Sequence, residues 1–391
     1  MSDVGKISID FAYLQLRKII GHGASSEVYV GRYKSREVAI KVSNPPEITE
    51  EQIDGFVAEA KIASSLFHPN VVEFVGICVR PPQIAMVFEF CEGGNLKSSL
   101  TSSPHLWTPL RRIDACTDAC RAISCMHNLR LIHRDLKAEN FFVGAEQVVK
   151  LGDFGESTRF RSMESARTKR MTILGTVAFM APELIAAHKH YTESIDIYAL
   201  AVTMWEIWTG RDPYEDISQF EIYEKVAQGY RPGLPTDSPP GFNDILVSAW
   251  QEDAANRPTA AEMVEQLEEL VKGFSEEQLD GLRQSSERPT GSNPLGGGGG
   301  DAGGGGAGSA GEGVAESAKA AGVAGVAGVA GAAGGARGAG AVEMQLNPLV
   351  SSSEVDDVAH RLSRVPSTHS RTNSTNSSAS EKSPKVPPAV P

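Results

Sequence analysis

The chain has 391 residues, a net charge of −12 and 41% hydrophobic residues, of which the aromatic and aliphatic members concentrate before about residue 272. This acidity argues against a nucleic-acid-binding surface, which requires a positive footprint. The N-terminal sequence MSDVGKISID lacks the apolar core of a secretory signal peptide, and the five cysteines form no CxxC pair. We therefore expect a cytoplasmic, intracellular protein with reduced thiols.

The first predicted element is a hairpin that contains glycine. Gly21, Gly23, Ser26 and Val28 follow the apolar run LQLRKII and precede EVYVGRY, and both runs have the character of strands. Such a hairpin can fold over phosphate groups. The glycine pattern alone is weak evidence, because any hairpin favours glycine at positive φ.

A strand and a helix follow the hairpin. In the strand VAIK, alternation places Ala39 and Lys41 on the same face, so a small side chain and a cation would meet one ligand. The next segment, TEEQIDGFVAEAKIASSLF, opens with a capping-box pattern and carries an apolar helical stripe. Glu59 lies at the edge of that stripe. It is either a solvated surface charge or the partner of Lys41.

The most informative stretch is HRDLKAEN followed, after a short apolar run and a turn, by DFG. Asp135 can accept a proton from an attacking hydroxyl, and Lys137 can neutralise phosphate charge beside it. Asn140 and Asp153 supply the oxygen ligands that Mg²⁺ prefers when phosphate and water complete its octahedron. These are the parts that metal-assisted phosphoryl transfer requires.

With these motifs, residues 13 to 272 resemble a complete eukaryotic protein kinase domain, most similar to the tyrosine-kinase-like group of serine/threonine kinases. The resemblance rests on GHGASSEV, VAIK, the helix glutamate, HPNVV, HRDLKAEN, DFG, GTVAFMAPE and a late NRP. It implies a two-lobed α+β fold, with a small antiparallel β lobe that has one helix and a larger, mainly helical lobe. It also implies an enzyme that transfers the γ-phosphate of ATP to protein hydroxyls with Mg²⁺.

The resemblance further implies a hinge at FEFCEGGNL. Phe88 would be the gatekeeper that closes the space behind the adenine, and backbone groups of Glu89 and Cys91 would bond its edge. Phe142 stands where the family usually has a leucine beneath the adenine. The predicted site comprises the catalytic residues Asp135, Lys137, Lys41 and Glu59, the metal ligands Asn140 and Asp153, and the ATP-binding residues Ile20, Gly21, Gly23, Ser26, Val28, Ala39, Lys41, Phe88, Glu89, Cys91 and Phe142.

Two charged contacts outside the cleft are implied as structural. Arg257 of the NRP motif would pair with Glu183 of the APE motif, and Asp196 would anchor the catalytic loop from a buried helix. Neither belongs to the predicted site.

The acceptor residue is also predicted by resemblance. Lys137 and Thr176 are typical of serine/threonine kinases, although dual specificity stays open. Two other readings are kept, namely a pseudokinase scaffold and a small-molecule phosphotransferase of related fold. The intact cleft residues disfavour the first, and the APE segment with its arginine partner disfavours the second.

Regulation by phosphorylation of the activation segment is a further expectation. Arg134 precedes the catalytic aspartate, and a phosphate on this segment would neutralise it and order the loop. Thr172, three residues before Gly175, has the spacing of the family's usual activating site, and Thr168 is the second candidate. Either an upstream kinase or autophosphorylation would modify them.

The rest of the chain differs in composition. Glycine and alanine bury too little area to offset the entropy of ordering, so a flexible tether and a disordered tail are predicted. The stretch 318–342 is not predicted to span a membrane, because glycine and alanine are weakly apolar and Arg337 interrupts it. Regulatory phosphorylation of the tail is one interpretation, and a plain polar tail is the other.

The predicted organisation is an N-terminal extension (1–12), the kinase domain (13–272, with the N-lobe and hinge at 13–91 and the C-lobe at 92–272), a linker (273–290), the Gly/Ala-rich tether (291–342) and the Ser/Thr/Pro-rich tail (343–391). The expected partner is a protein substrate, and the oligomeric state is left open.

Overall fold

The structure is a computed structural model that describes residues 8–23, 26–43, 50–80, 83–159, 177–186 and 191–284. The predicted phosphorylation sites Thr168 and Thr172 lie outside these described residues, as do the predicted tether and tail.

The N-terminal lobe is built on a five-stranded antiparallel sheet and one helix. The strands are ordered β1-β2-β3-β5-β4, and each neighbouring pair is antiparallel. The helix α1 lies between β3 and β4 in the chain. The bounds are β1 Leu14–His22, β2 Ser26–Tyr33, β3 Arg36–Ser43, α1 Glu50–Ser65, β4 Phe74–Arg80 and β5 Gln83–Glu89.

Alternation along β3 separates the core from the ligand face. Val38, Ile40 and Val42 are buried in the core of the small lobe, and Ala39 and Lys41 lie on the opposite face. This is the arrangement that the VAIK pattern predicts. The strand therefore presents its lysine away from the apolar core.

The core of the small lobe includes residues from the segment predicted as an N-terminal extension. Ile9 is buried, its N–H donates to the carbonyl oxygen of Ile77 at 2.7 Å, and Ser8 forms a parallel bridge with Ile77. Because Ile9 packs in the same cluster as the β3 side chains, the lobe incorporates residues that precede position 13.

The larger lobe is mainly helical. Most of α5 is buried, and it lies at the centre of the lobe, in contact with α3, α7 and the catalytic loop. Two short antiparallel sheets, β6–β9 and β7–β8, flank the catalytic segments. The bounds are α2 Leu96–Ser102, α3 Pro109–Asn128, β6 Leu131–Ile132, β7 Phe141–Val143, β8 Val149–Leu151, β9 Thr158–Arg159, α4 Pro182–Ile185, α5 Ser194–Thr209, α6 Gln219–Ala227, α7 Phe242–Ala249, α8 Ala260–Lys272 and α9 Glu276–Arg283.

These two lobes confirm the predicted α+β architecture. The last helix within the described residues, α9, begins with a capping box formed by Ser275 and Gln278 and contacts α3. It lies within the segment 273–290 that the sequence predicts as a linker. Among the described residues, no helix combines the length and apolar character needed to cross a bilayer.

A buried ion pair joins helix α4 to the segment between α7 and α8. The guanidinium of Arg257 donates to both carboxylate oxygens of Glu183, at 2.7 and 2.9 Å. It also donates to the carbonyl oxygens of Gln251, at 2.8 Å, and of Ser194, at 2.9 Å. The Arg257 side chain is 0% exposed. The pairing is the one implied by the APE and NRP motifs.

Replacing Arg257 with methionine should strongly destabilise the protein. The substitution leaves the Glu183 carboxylate buried without its partner, which costs about 3–5 kcal/mol of unfolding free energy. Urea denaturation of the full chain measures this change. Arg283→Met is the matched control, because its ion pair with Asp280 is solvent-exposed and contributes little. Equal unfolding midpoints for the two variants would contradict the structural role of Arg257.

Candidate active site

A cavity of about 650 Å³ lies between the glycine hairpin, β3, the segment after β5 and the catalytic loop. Its volume suits a small-molecule ligand. Glu59, Asn140 and Asp153 line it together with all eleven residues predicted to bind ATP, namely Ile20, Gly21, Gly23, Ser26, Val28, Ala39, Lys41, Phe88, Glu89, Cys91 and Phe142. Residues that are far apart in the chain thus meet at one opening.

The ammonium of Lys41 links both sides of this cavity. It lies 2.7 Å from Glu59 Oε1 on α1 and 3.1 Å from Asp153 Oδ1 in the DFG turn. Burial opposes the charge on Lys41, but the two carboxylates raise its pKa above the ordinary value. The lysine is therefore a fixed cation on the cavity wall. The sequence left open whether Glu59 is a solvated surface charge or the partner of Lys41. In the structure Glu59 contacts Lys41.

Asp153 is presented by an unusual backbone conformation. Its φ is +55°, in the left-handed region that non-glycine residues seldom adopt. Its side chain is half exposed, toward the cavity that it lines. Burial raises and the attraction of Lys41 lowers its pKa, and the net shift is downward, so Asp153 is an ionised oxygen donor at neutral pH.

The catalytic loop brings the other predicted residues together. Asp135 Oδ2 forms an ion pair with Lys137 Nζ at 3.0 Å and accepts a hydrogen bond from Asn140 Nδ2 at 2.9 Å. Asp135 Oδ1 is buried and has no hydrogen-bond partner among the described residues. A buried carboxylate oxygen without a donor favours an incoming hydroxyl group as its missing partner.

Asp196 holds this loop from the buried helix α5. Its carboxylate accepts from the backbone N–H of His133 at 2.8 Å and of Arg134 at 2.9 Å, and it lies 3.0 Å from His127 Nε2. Burial raises and these hydrogen bonds lower its pKa, with a net downward shift. The anchor stabilises Arg134 at a φ of +73°, which in turn orients the following residue, Asp135.

The end of β5 and the segment that follows it form one side of the cavity. The Phe88 ring lines the cavity and packs edge-on against Phe74, with ring centroids 5.5 Å apart. Glu89 N–H donates to Glu73 O at 2.9 Å. The Cys91 N–H has no hydrogen-bond partner within the described part of the chain, so it can donate to a ligand. Burial raises the pKa of the Cys91 thiol to about 12.

The Glu89 side chain makes contacts that the sequence did not predict. Its carboxylate binds Lys150 Nζ on β8 at 2.7 and 2.9 Å and accepts from the Glu73 N–H at 2.7 Å. Arg36 pairs with Glu73 at 2.7 Å beside it. These contacts tie the end of β5 to the strand that leads into Asp153.

Several other residues that line the cavity were not predicted from the sequence. Asn95 caps α2 by accepting from Ser98 N–H, so its position is set by helix geometry rather than by a motif. Val72 belongs to the HPNVV motif, and that signal could have identified it. The cavity residues absent from the prediction are His22, Val72, Phe90, Glu92, Gly94, Asn95, Ser98, Glu139 and Gly152.

The donor set fits a hard divalent cation. Asn140 uses its amide nitrogen toward Asp135, which leaves the amide oxygen for a ligand, and Asp153 offers a half-exposed carboxylate. Among the described residues there is no cluster of three or more His, Cys, Asp or Glu side chains that could hold a metal without further ligands. Two oxygen donors that need phosphate and water to complete the shell match Mg²⁺ rather than a structural metal.

Comparisons with known proteins agree with this geometry. A family model of protein tyrosine and serine/threonine kinases matches residues 14–267. The serine/threonine-protein kinase STY46 of Arabidopsis thaliana is 33% identical over 74% of this chain and 48% of its own length. The serine/threonine/tyrosine-protein kinase HT1 of Arabidopsis thaliana is 31% identical over 67% of this chain and 68% of its own length.

A third relative comes from a different organism. The probable serine/threonine-protein kinase drkC of Dictyostelium discoideum is 34% identical over 67% of this chain and 35% of its own length. The chain thus spans about half the length of STY46 and about a third of the length of drkC. On the family match and the cleft geometry together, this chain belongs to the protein tyrosine and serine/threonine kinase family.

Proposed function

We propose that the chain is an ATP-dependent protein kinase that transfers the γ-phosphate of ATP to serine and threonine hydroxyls of a protein substrate. The observation that carries this proposal is the unpartnered, buried oxygen of Asp135 beside Lys137, adjoining a cavity whose cation is held between Glu59 and Asp153. Geometry of this kind supplies positioning and charge stabilisation, which is what phosphoryl transfer requires.

The chain's own residues act as follows in this proposal. Asp135 orients the substrate hydroxyl and accepts its proton as the new phosphate ester forms. Lys137 neutralises charge on the transferred phosphoryl group, and Lys41 holds the remaining phosphates from the wall of the cleft. Asn140 and Asp153 would hold Mg²⁺, which when bound withdraws charge from the phosphate oxygens.

The adenine and phosphates would occupy the large cavity. Glu89, Cys91, Phe142 and Ala39 line this cavity. In this proposal the backbone around Glu89 and Cys91 would bond the adenine edge, and Phe142 and Ala39 would lie against the adenine. Gly21 and Gly23 leave space for phosphate groups close to the backbone of the hairpin. Ser26, in place of a third glycine, adds only a small hydroxyl.

Serine and threonine are the favoured acceptors because Lys137 and Thr176 follow the pattern of kinases for those residues. The name of the relative HT1 includes tyrosine, and this motivates dual specificity as a second candidate. Separation of phosphoserine, phosphothreonine and phosphotyrosine after acid hydrolysis of a labelled mixed substrate distinguishes the two.

We also propose a cytoplasmic location and a partner limited to protein substrates and regulatory kinases. All five cysteines are buried thiols that form no disulfide, which supports a reducing compartment. The negative net charge gives no support for nucleic acid as a partner.

Asp135→Asn should abolish phosphate transfer while leaving nucleotide binding largely intact. Asparagine keeps the size of the side chain but cannot accept the hydroxyl proton, so kcat should fall roughly 100- to 10,000-fold. Transfer of radiolabelled phosphate from ATP to a generic protein substrate measures kcat, and fluorescence of a labelled ATP analogue measures binding. Asp244→Asn, an exposed change on α7, is the control. Full turnover in the Asp135 variant would remove Asp135 as the base.

Phe88→Ala should open the space behind the adenine. The variant exchanges a ring packed on Phe74 for a methyl group, so adenine analogues with a bulky rear substituent should inhibit it at least about tenfold more strongly than wild type. Dose-response inhibition of phosphate transfer at equal ATP saturation provides the measurement. Equal inhibition of both proteins would contradict the gatekeeper role.

Thr172→Ala should lower activity strongly, and Thr168→Ala should lower it less. The Arg134 guanidinium contacts one backbone carbonyl, that of Glu156, at 3.5 Å, which leaves donors for a phosphate. Mass spectrometry after incubation with ATP identifies the modified threonine, and the two variants are compared by initial rate. Wild-type turnover in the Thr172 variant would exclude that residue as the activating site.

A further inference from the structure

A second cavity, of about 190 Å³, lies beside the catalytic loop and outside the large cleft. Lys137 contributes to its wall and also contacts Asp135, so this cavity adjoins the position proposed for the phosphoacceptor. Val177, Phe179 and Ile222 form an apolar part of the lining, and all three are buried. The volume suits a single side chain rather than a small-molecule ligand.

Three carboxylates, those of Glu139, Glu206 and Asp212, also line this second cavity, and the exposed carboxylate of Glu139 lies 4.0 Å from the Lys137 ammonium. The Glu206 side chain is only 3% exposed, whereas that of Asp212 is 70% exposed. Without a cation from the protein, such a pair would favour a basic side chain from a substrate. The group that pairs with Glu206 and Asp212 in the structure therefore decides which substrate side chain this cavity can accept.

That partner is Lys97 on α2. Its ammonium lies 2.5 Å from Glu206 Oε1 and also binds the Asp212 carboxylate. Glu206 Oε2 accepts from the Ala138 N–H at 2.9 Å, so both oxygens of this buried carboxylate are engaged within the chain. Burial opposes the charge on Lys97, but Glu206 and Asp212 raise its pKa, so the lysine stays charged.

The electrostatic consequence follows from these contacts. An incoming arginine or lysine would have to displace Lys97 from a buried carboxylate, and it would meet the Lys137 ammonium in the same cavity. The exposed carboxylates of Asp212 and Glu139 are screened by water and compensate little. A neutral, apolar side chain meets no such obstacle and gains contact with Val177, Phe179 and Ile222.

We propose that the second cavity is a substrate subsite for a neutral, apolar side chain near the phosphoacceptor, and that Lys97 excludes basic side chains from it by occupying Glu206 and Asp212. This inference rests on the proposed kinase activity. Lys97 acts through the two carboxylates and is a specificity-determining residue, not a catalytic one.

A positional peptide library tests the proposal. Peptides with a central serine or threonine carry leucine, arginine or glutamate at each flanking position in turn, and the full chain phosphorylates them with radiolabelled ATP. The readout is the arginine-to-leucine rate ratio at each position, which is internal to each variant and does not depend on the fraction of folded enzyme. The variants are Lys97→Met, Lys97→Arg, Glu206→Gln and Lys97→Met/Glu206→Gln, and Lys272→Met is the control for loss of an exposed lysine.

Wild type and the Lys97→Arg and Lys272→Met variants should favour leucine over arginine at one shared flanking position. In Lys97→Met the arginine-to-leucine ratio at that position should rise about tenfold, because a substrate guanidinium takes the place of the missing ammonium. The double variant should return toward the wild-type ratio. Glu206→Gln alone leaves Lys97 with one carboxylate, so it should lower the arginine-to-leucine ratio below that of wild type. This variant tests the proposal even if Lys97→Met folds poorly.

An unchanged ratio in both Lys97→Met and Glu206→Gln would overturn the proposal, and so would a wild-type preference for arginine at that position. Absence of label in every peptide with wild type, equal to the Asp135→Asn background, would instead be a failure of the proposed kinase activity. In that event, binding of leucine-flanked and arginine-flanked serine peptides to wild type and to the Lys97→Met variant, measured by fluorescence anisotropy, gives the same ratio without turnover.

Discussion

The cleft depends on one partly buried ammonium group. Lys41 joins β3 of the small lobe to α1 through Glu59 and to the large lobe through Asp153, at 2.7 and 3.1 Å. A buried cation is unfavourable unless its partners are close, so the helix and the DFG turn can leave this arrangement only by exposing an unpaired charge. The same three side chains that fix the relation of the lobes therefore also line the cavity proposed for the nucleotide.

Buried charges organise the large lobe in the same way. Asp196 on α5 holds two consecutive backbone N–H groups of the catalytic loop, and the neighbouring Glu206 holds the Ala138 N–H. Both carboxylates project from one helix, one on each side of Asp135 along the loop. A rigid helix buried along most of its length is a precise support for a loop that carries a catalytic base, because its side chains have few alternative rotamers.

The sequence predicted the lobes and most of the cleft, because the motifs that build them are short and ordered along the chain. The sequence did not predict those contacts between distant residues that neither a motif nor a periodic pattern indicates. Lys97 and Glu206 are 109 positions apart, and Glu89 and Lys150 are 61 apart, so each contact depends on how whole elements pack. Ile9 was assigned to an extension because an isolated apolar residue before the first strand gives no pattern.

We propose above all that the oxygen donors of Asn140 and Asp153 and the ammonium of Lys41 bind a magnesium–nucleotide complex in this cleft. Isothermal titration calorimetry of the full chain with ATP, with and without Mg²⁺, tests this binding most directly. We expect saturable binding of one ATP per chain that is markedly tighter with Mg²⁺. Absence of ATP binding, or an affinity that Mg²⁺ does not change, would contradict it.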